Sequence, residues 1–207
     1  HSPKAFDNRN YAGSESCKEC HLDIYDQWKI SPHARMTRRF RNLDNQKEIP
    51  IEDLGVPREK IAWVLGSHYV HRFVAEASGT LVVLPKIWDL NKKEWLPVND
   101  YGWRSRYWLK QCAGCHTTGF SAENDSFAEA GVGCEACHGP GLNHIRTRSP
   151  EYITSLKSMT PERQEMICTS CHTSGIDNSG QYNFPVGYRP GDNLMDFFSG
   201  LTPKPGQ

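Results

Sequence analysis

The chain has 207 residues, and its 24 Lys and Arg balance its 24 Asp and Glu to a formal net charge of zero. A balanced charge excludes the basic arm of a nucleic-acid-binding protein, and no run of 18 apolar residues is present that could span a membrane. The length suggests a single domain over residues 1–207. Because only 37% of the residues are hydrophobic, we expect a thin core unless a large apolar cofactor completes it.

The eight cysteines fall into four Cys-x-x-Cys-His motifs, and none is left over. The motifs are Cys17, Cys20 and His21; Cys112, Cys115 and His116; Cys134, Cys137 and His138; and Cys168, Cys171 and His172. This spacing is the signature of c-type haem attachment, in which two thiols bond to one porphyrin and the adjacent histidine is the proximal iron ligand. The sequence therefore predicts four covalently bound haem c groups, each with its iron.

Three other interpretations explain less of the pattern. A zinc site would pair two Cys-x-x-Cys halves but would not need a histidine directly after each of them. A thioredoxin-like redox site would show one motif beside a βαβ pattern. A disulfide framework would leave the four histidines unexplained.

The first 30 residues predict an irregular start and then a helix that holds the first motif. Ser16 and Glu19 have the spacing of a capping box, and the helix is expected over about Cys17–Lys29. Its apolar side would consist of Ile24, Tyr25 and Trp28. Ser31 and Pro32 then restart a helix. His33 follows in its first turn, twelve residues after His21, and is a candidate distal ligand.

Residues 61–97 predict a small antiparallel β meander between the first and second motifs. The strands are expected at Ile61–Leu65, His68–Ala77, Thr80–Trp88 and Glu94–Pro97, with turn residues between them. His68 and His71 are three residues apart and would point to opposite faces of a regular strand. One of the two is therefore expected to face a haem unless a bulge intervenes.

Short helices are expected around the remaining motifs, at Arg104–His116, at Gly133–His138 and after the Thr160-Pro161 start signal. Gly139, Pro140 and Gly141 break the helix of the third motif and precede His144. Because this reversal is too short to pass round the rim of the third haem, His144 is expected to bind the iron of a neighbouring haem. The basic run of Arg35, Arg38, Arg39 and Arg41 is either a solvated helix face or a partner for haem propionates.

The sequence resembles the cytochrome c-554 family of tetrahaem cytochromes over most of residues 11–193. The resemblance is carried by Ser31-Pro32-His33-Ala34 and by Gly133-Cys134-Glu135-Ala136-Cys137-His138-Gly139-Pro140-Gly141, followed by His144. It implies a mainly α fold with little regular secondary structure, wrapped around haems in stacked and perpendicular pairs. It also implies His33 and His144 as distal ligands. The family's namesake has a distal histidine after its last motif, whereas this sequence has none after His172.

The number of histidines favours electron transfer over catalysis. Four of the nine are proximal, and His1, His33, His68, His71 and His144 remain for four distal positions. Saturated irons leave no place for a substrate, so a carrier is favoured over a reductase of small nitrogen compounds with one open haem. The four methionines are weaker alternatives as axial ligands. Redox proteins or extracellular electron acceptors are the expected partners.

Two further expectations concern location and assembly. The chain begins at His1 rather than at Met, which suggests a removed export signal and an extracellular, cell-surface or periplasmic location. If His68 and His71 serve haems of different subunits, a head-to-tail contact would build a filament. Polymerising extracellular tetrahaem cytochromes are similar in size and motif number. The alternative is a soluble periplasmic shuttle.

Overall fold

The computed structural model describes residues 10–44, 46–96 and 101–203. Its α-helices are short, and within these residues only α2 and α8 reach eight residues. The helices are α1 Ser14–Cys17, α2 Leu22–Lys29, α3 Pro32–Arg35, α4 Trp108–Gln111, α5 Ala113–His116, α6 Cys134–His138, α7 Leu142–Thr147 and α8 Pro161–His172. Several single 3-10 turns lie between them.

The strands form one large antiparallel sheet and two small ones. They are β1 Thr37–Arg39, β2 Ile61–Leu65, β3 Val70–Ala77, β4 Thr80–Asp89, β5 Glu94–Leu96, β6 Thr117–Thr118, β7 Glu129–Ala130, β8 Thr173–Asp177 and β9 Phe198–Pro203. The large sheet has the order β1-β2-β3-β4-β5, and β6-β7 and β8-β9 are separate pairs.

The expected fold class, mainly α with a small meander, is therefore wrong. The chain is a mixed fold in which a five-stranded sheet is the largest regular element. The physical reason is that a Cys-x-x-Cys-His motif needs only about one helical turn, so most helices that carry a motif stay short. The long β-branched and aromatic runs after residue 60 instead form strands of up to ten residues.

The four predicted strands of the meander are present with small shifts. Ile61–Leu65 agrees with β2, and the last predicted strand is β5, while Pro97 lies outside the described residues. The second strand starts at Val70 rather than His68, so His68 belongs to the preceding connection. The premise that His68 and His71 share one regular strand is therefore wrong.

Five strands were not expected, namely β1 and the pairs β6-β7 and β8-β9. The arginine-rich run after α3 forms edge strand β1, which pairs with β2. There the guanidinium of Arg38 donates from Nη2 to the carbonyl of Gly66 over 2.9 Å, and that of Arg39 lies 3.8 Å from the ring centroid of Trp63. Strands β8 and β9 pair across a segment that the sequence suggested was a loop.

The large sheet buries apolar side chains on both faces because alternate residues point in opposite directions. One face packs against the 3-10 turns of residues 40–54, and its cluster includes Phe40, Ile51, Val64, Phe73 and Leu84. The other face packs against the second motif, and its cluster includes Trp63, Val74, Val83, Trp108 and Cys115. The sheet thus supports the second motif directly.

The first predicted helix is interrupted. It is split into α1 and α2, and the Ser16 hydroxyl donates to the carbonyl of Ala12 instead of capping a longer helix. No residue of α2 is buried by the polypeptide, and Ile24 is 66% exposed. The N-caps of α3 and α8 are as predicted, with Ser31 and Thr160 each accepting a backbone N–H bond. Within the described residues, no helix is long and apolar enough to cross a membrane.

Replacing Gly114 with Ala is expected to destabilise the protein. A Cβ at this position in α5 would lie 2.0 Å from the Cδ2 atom of the buried Phe184 ring. Overpacking of this kind destabilises a protein by about 1–3 kcal/mol, and a clash this close belongs at the upper end of that range. The higher helix propensity of Ala offsets only about 1 kcal/mol of this loss. Chemical denaturation of the haem-loaded protein measures the free energy of unfolding. Phe184→Leu in the same background should recover part of the loss, and an unchanged stability of Gly114→Ala would contradict the packing.

Candidate haem centres

Each of the four motifs occupies about one helical turn. The amide of His21 donates to the carbonyl of Cys17 over 3.0 Å, and the amide of His116 donates to that of Cys112 over 3.1 Å. The third motif is α6, and the fourth is the last turn of α8. Residues i, i+3 and i+4 share one face of a helix. Each turn therefore presents its two thiols and its imidazole together, as attachment of a haem requires.

The first pair of histidines joins the first motif to a residue outside the motifs. The rings of His21 and His144 lie with their centroids 6.4 Å apart and their planes 20° from parallel. His144 is on α7, which follows the third motif. The structure thus places His144 next to the proximal histidine of another motif and not beside that of its own segment.

The second pair joins the fourth motif to the helix that follows the first. The ring centroids of His33 and His172 are 6.1 Å apart, with an interplanar angle of 80°. The backbone of His33 is fixed in place, because its carbonyl accepts a 3.0 Å hydrogen bond from the amide of Val132. The indole N–H of Trp28 donates to the carbonyl of Val132 over 2.9 Å. One contact from α2 and one from α3 therefore fix these helices against the segment that leads into the third motif.

The spacing within both pairs fits an iron held between two imidazoles. With metal–nitrogen distances of about 2.0 Å on opposite sides of the metal, the ring centroids would be roughly 6 Å apart. Both observed separations, 6.4 and 6.1 Å, agree with that value. The donor set and its spacing therefore fit a haem with two axial histidines at each pair.

In two of the candidate ligands, one ring nitrogen is hydrogen-bonded to a backbone carbonyl, as is typical of metal-binding histidines. The Nδ1 atom of His138 donates to the carbonyl of Thr154, and that of His144 donates to the carbonyl of Ser149, both over 2.9 Å. Such a bond fixes the ring orientation and leaves Nε2 available for a metal.

Two buried donors near the motifs have no acceptor within the part of the chain that the structure describes. They are the indole N–H of Trp108 and the hydroxyl of Tyr188. Trp108 is fully buried and lies edge-on to the His116 ring at 5.9 Å between centroids, and burial raises the pKa of Tyr188 to about 12. Because a buried unpaired donor is costly, acceptor groups such as haem propionates suit these positions.

The four motifs are close neighbours. The interaction between the Cys17 and Cys134 thiols is the main reason that the pKa of Cys17 is raised and that of Cys134 is lowered to about 6. The pKa of Cys137 is raised to about 11, first by burial and then by the nearby Cys171 and Cys168 thiols. The Sγ atom of Cys115 lies 3.8 Å from the carbonyl oxygen of Ser170. The first motif therefore adjoins the third, the third adjoins the fourth, and the fourth adjoins the second.

His68 lies in the connection between β2 and β3 and is exposed. Its Nδ1 atom is 2.9 Å from the hydroxyl oxygen of Ser67, and its ring centroid is 6.3 Å from that of Tyr69, which is 74% exposed. The imidazole is therefore presented at a loop at the edge of the sheet.

His71 is buried in β3, directly opposite Trp88 of β4. It shares the sheet face of the Phe73 cluster, which is the face opposite to the second motif. Its Nδ1 atom donates to the carbonyl of Val70 over 3.2 Å. Burial first, and then the Arg38 charge, lower the pKa of His71, so the ring is neutral at pH 7. The remaining candidate, His1, lies outside the described residues.

Sequence reasoning missed the acidic residues that connect the first and third motifs. The carboxylate of Glu135 accepts bonds from backbone amides of the segment before Cys17, and that of Glu129 accepts bonds from Ser14. Glu135 occupies a variable position inside a motif, and Glu129 lies in a connection. Glu135 is part of the segment that carries the family resemblance, but no local pattern in the sequence assigns a structural role to either residue.

Comparison with known proteins places the chain among multihaem cytochromes. The family profile described as "Cytochrome c554 and c-prime" matches residues 16–68 and 93–139. Cytochrome c-554 of Nitrosomonas europaea is 32% identical over 81 residues, which are 30% of this chain and 34% of that protein.

Two solved structures resemble the chain over most of its length. One is the outer cell wall cytochrome OcwA, with a TM-score of 0.75 and 27% identity over 93% of this chain and 45% of that chain. The other is the undecahaem cytochrome from the S-layer of Carboxydothermus ferrireducens, with a TM-score of 0.60 and 24% identity over 82% of this chain and 26% of that chain. The second likeness is one of fold alone.

The chain spans less than half of the length of each of these relatives. The family profile covers the first three motifs and ends before the fourth, which begins at Cys168. The motifs, the profile match and the structural likeness together indicate a multihaem c-type cytochrome with covalently bound haem c, which is similar to the cytochrome c-554 family over the matched residues.

Proposed function

We propose that the chain is a single tetrahaem electron-transfer domain in which each iron has two axial histidines. The observation that carries this proposal is the spacing of the His21–His144 and His33–His172 pairs. Each pair combines the histidine of a Cys-x-x-Cys-His motif with a histidine that lies outside the four motifs. Haem c would supply one-electron exchange between ferric and ferrous iron.

The pairing favours an electron carrier over an enzyme. A histidine on each side of the metal leaves no open position for a small substrate, whereas a reductase of small nitrogen compounds would need one. His68 and His71 remain the proposed distal ligands for His116 and His138. Of the two, His71 has the less suitable surroundings, because it is buried on the sheet face opposite to the second motif.

We propose that electrons pass between the haems in the order first, third, fourth and second motif. The proximity of the first motif to the third, of the third to the fourth and of the fourth to the second supports this order. His144 links the first motif to the segment of the third, and His33 links the fourth to the segment of the first. The polypeptide thus connects the first motif to both the third and the fourth, and we propose that electrons enter at one end of this order and leave at the other.

The exposed position of His68 favours a role between subunits. Its imidazole stands at a loop beside the exposed ring of Tyr69, where a neighbouring copy could use it as a distal ligand. We therefore propose a head-to-tail homopolymer at the cell surface or outside the cell, in contact with redox proteins or extracellular electron acceptors. The names of the cell-wall and S-layer relatives support such a location. A soluble periplasmic shuttle is the alternative.

The mass of the purified native protein tests the number of haems. It should exceed the 23.5 kDa polypeptide by four haem groups, and denaturation should release none, because thioether bonds are covalent. Replacing Cys112 and Cys115 by Ala should remove one adduct while the other three remain. An unmodified protein with fewer than four covalent adducts would contradict the tetrahaem assignment.

Loss of one distal histidine should change the spin state of one iron. His144→Ala and His33→Ala should each convert one low-spin haem per chain to high spin in the electron paramagnetic resonance spectrum of the oxidised protein, because an imidazole is removed from the metal. Asn143→Ala is a matched control on the same helix as His144, and it should leave the spectrum unchanged. A fully low-spin spectrum of either histidine variant would contradict that ligand.

The oligomeric state tests the role of His68. Electron microscopy of the native protein should show filaments, and His68→Ala should disperse them and leave one high-spin haem per chain. The change removes a ligand at an exposed loop, so the fold of the subunit should persist. A monodisperse wild-type monomer with four low-spin haems would contradict the shared ligand and favour the periplasmic shuttle.

A further inference from the structure

We propose that Glu135 is the positioning residue for the axial pair His21 and His144. The inference rests on the proposed function, in which these two imidazoles bind one iron. Glu135 belongs to the third motif, between Cys134 and Cys137, so a residue of one haem site would set the ligand geometry of another.

The Glu135 side chain is buried, with 2% of its surface exposed, and all its hydrogen bonds that the structure shows come from backbone amides. Its Oε1 atom accepts from the amides of Ala12 at 2.9 Å and Gly141 at 2.6 Å. Its Oε2 atom accepts from the amides of Gly13 at 2.8 Å and Ala12 at 3.2 Å. Amide donors of this kind form charge-assisted bonds with a carboxylate, which are about twice as strong as neutral ones.

One of the two bonded segments leads to His21. Ala12 and Gly13 directly precede α1, and α1 ends at Cys17, whose carbonyl accepts the bond from the His21 amide. Gly13 has a φ of +81°, a conformation that favours glycine, and it turns the chain into α1 next to the carboxylate. The position of the first motif therefore depends on where Glu135 holds these two amides.

The other segment leads to His144. Gly141 is the N-cap of α7, and His144 lies in the first turns of that helix. A Cβ at Gly141 would come within 3.2 Å of Oε1 of Glu135, so glycine permits the close approach of the amide. The carboxylate therefore fixes the start of the helix that carries His144.

A single carboxylate thus holds both polypeptide segments that supply the first pair of histidines. Glu129 provides a useful contrast, because its carboxylate bonds the amide and hydroxyl of Ser14 at 3.0 and 2.7 Å. The direct bonds of Glu129 therefore reach only the segment that leads to His21, although the Ser14 hydroxyl also accepts from the amide of Cys134 over 2.9 Å. Loss of Glu135 should loosen both sides of the pair, whereas loss of Glu129 should loosen only one.

The negative charge of Glu135 allows a second measurement, which is the reduction potential of the nearby haems. A buried negative charge near an iron favours its ferric form, because opposite charges attract more strongly at low dielectric. Replacing the carboxylate by an amide should therefore raise the reduction potential of the nearest haems. A residue that only supported the fold would change the stability without selecting one haem.

The experiment compares haem-loaded wild type, Glu135→Gln, Glu129→Gln and the exposed control Glu123→Gln. The wild type is recorded first, because a high-spin haem or missing adducts there would contradict the proposed function and not this inference. In Glu135→Gln one haem per chain should become partly or wholly high spin, with the other three unchanged. Spectroelectrochemical titration of that variant should show at least one potential moved upward. Glu129→Gln should give a smaller change in the same haem, and the control none.

Gly141→Ala provides a test that does not depend on whether the Glu135→Gln variant acquires all its haems. Its Cβ presses on the carboxylate but the charge is kept. It should therefore alter the spin state of the same haem, with a smaller rise in potential than in Glu135→Gln, because only the ligand contribution changes. Spectra and potentials equal to wild type in both variants would overturn the proposal. An equal loss of all four haems in Gly141→Ala would overturn it as well, since that outcome indicates a general role in folding.

Discussion

The proposed haem coordination depends on one requirement, which is that two imidazoles from distant parts of the chain must meet across about 6 Å. His21 and His144 are separated by more than half of the chain, and so are His33 and His172, yet each pair is brought to this spacing. Helices as short as these are marginal by themselves. The geometry is instead maintained by bonds between segments, such as those of Glu135 with the amides of Ala12 and Gly141. The connections that carry the ligands therefore interlock.

The sheet and the motif region contribute to the core in different ways. The sheet buries an apolar cluster around Phe73 and Leu84 that contains no motif residue, so part of the core exists without a cofactor. Its other face supports the second motif through Trp108 and Cys115. The remaining motifs lie in a region of short turns, where orphaned donors such as the Tyr188 hydroxyl indicate that a cofactor completes the packing.

The motif turns and the N-caps at Ser31 and Thr160 were predictable because their signals are local, whereas the capping box predicted at Ser16 was wrong. Ser31, Thr160 and the Cys-x-x-Cys-His spacing act within four residues of the chain, and the structure agrees with these caps. The fold class was not predictable from the motifs. Four motifs suggested a mainly helical chain, but each motif needs only about one helical turn. Strand β1 was missed because its arginines pack by stacking on Trp63 and by bonding Gly66, which composition does not reveal. Glu135 was missed because its function depends on contacts more than 120 residues away.

A high-resolution experimental structure of the native, haem-loaded protein would test the central claim most directly. The account predicts one iron between the Nε2 atoms of His21 and His144, and another between those of His33 and His172, with the four motifs in the order first, third, fourth and second. An iron with water or a different residue opposite His21 or His172 would contradict it.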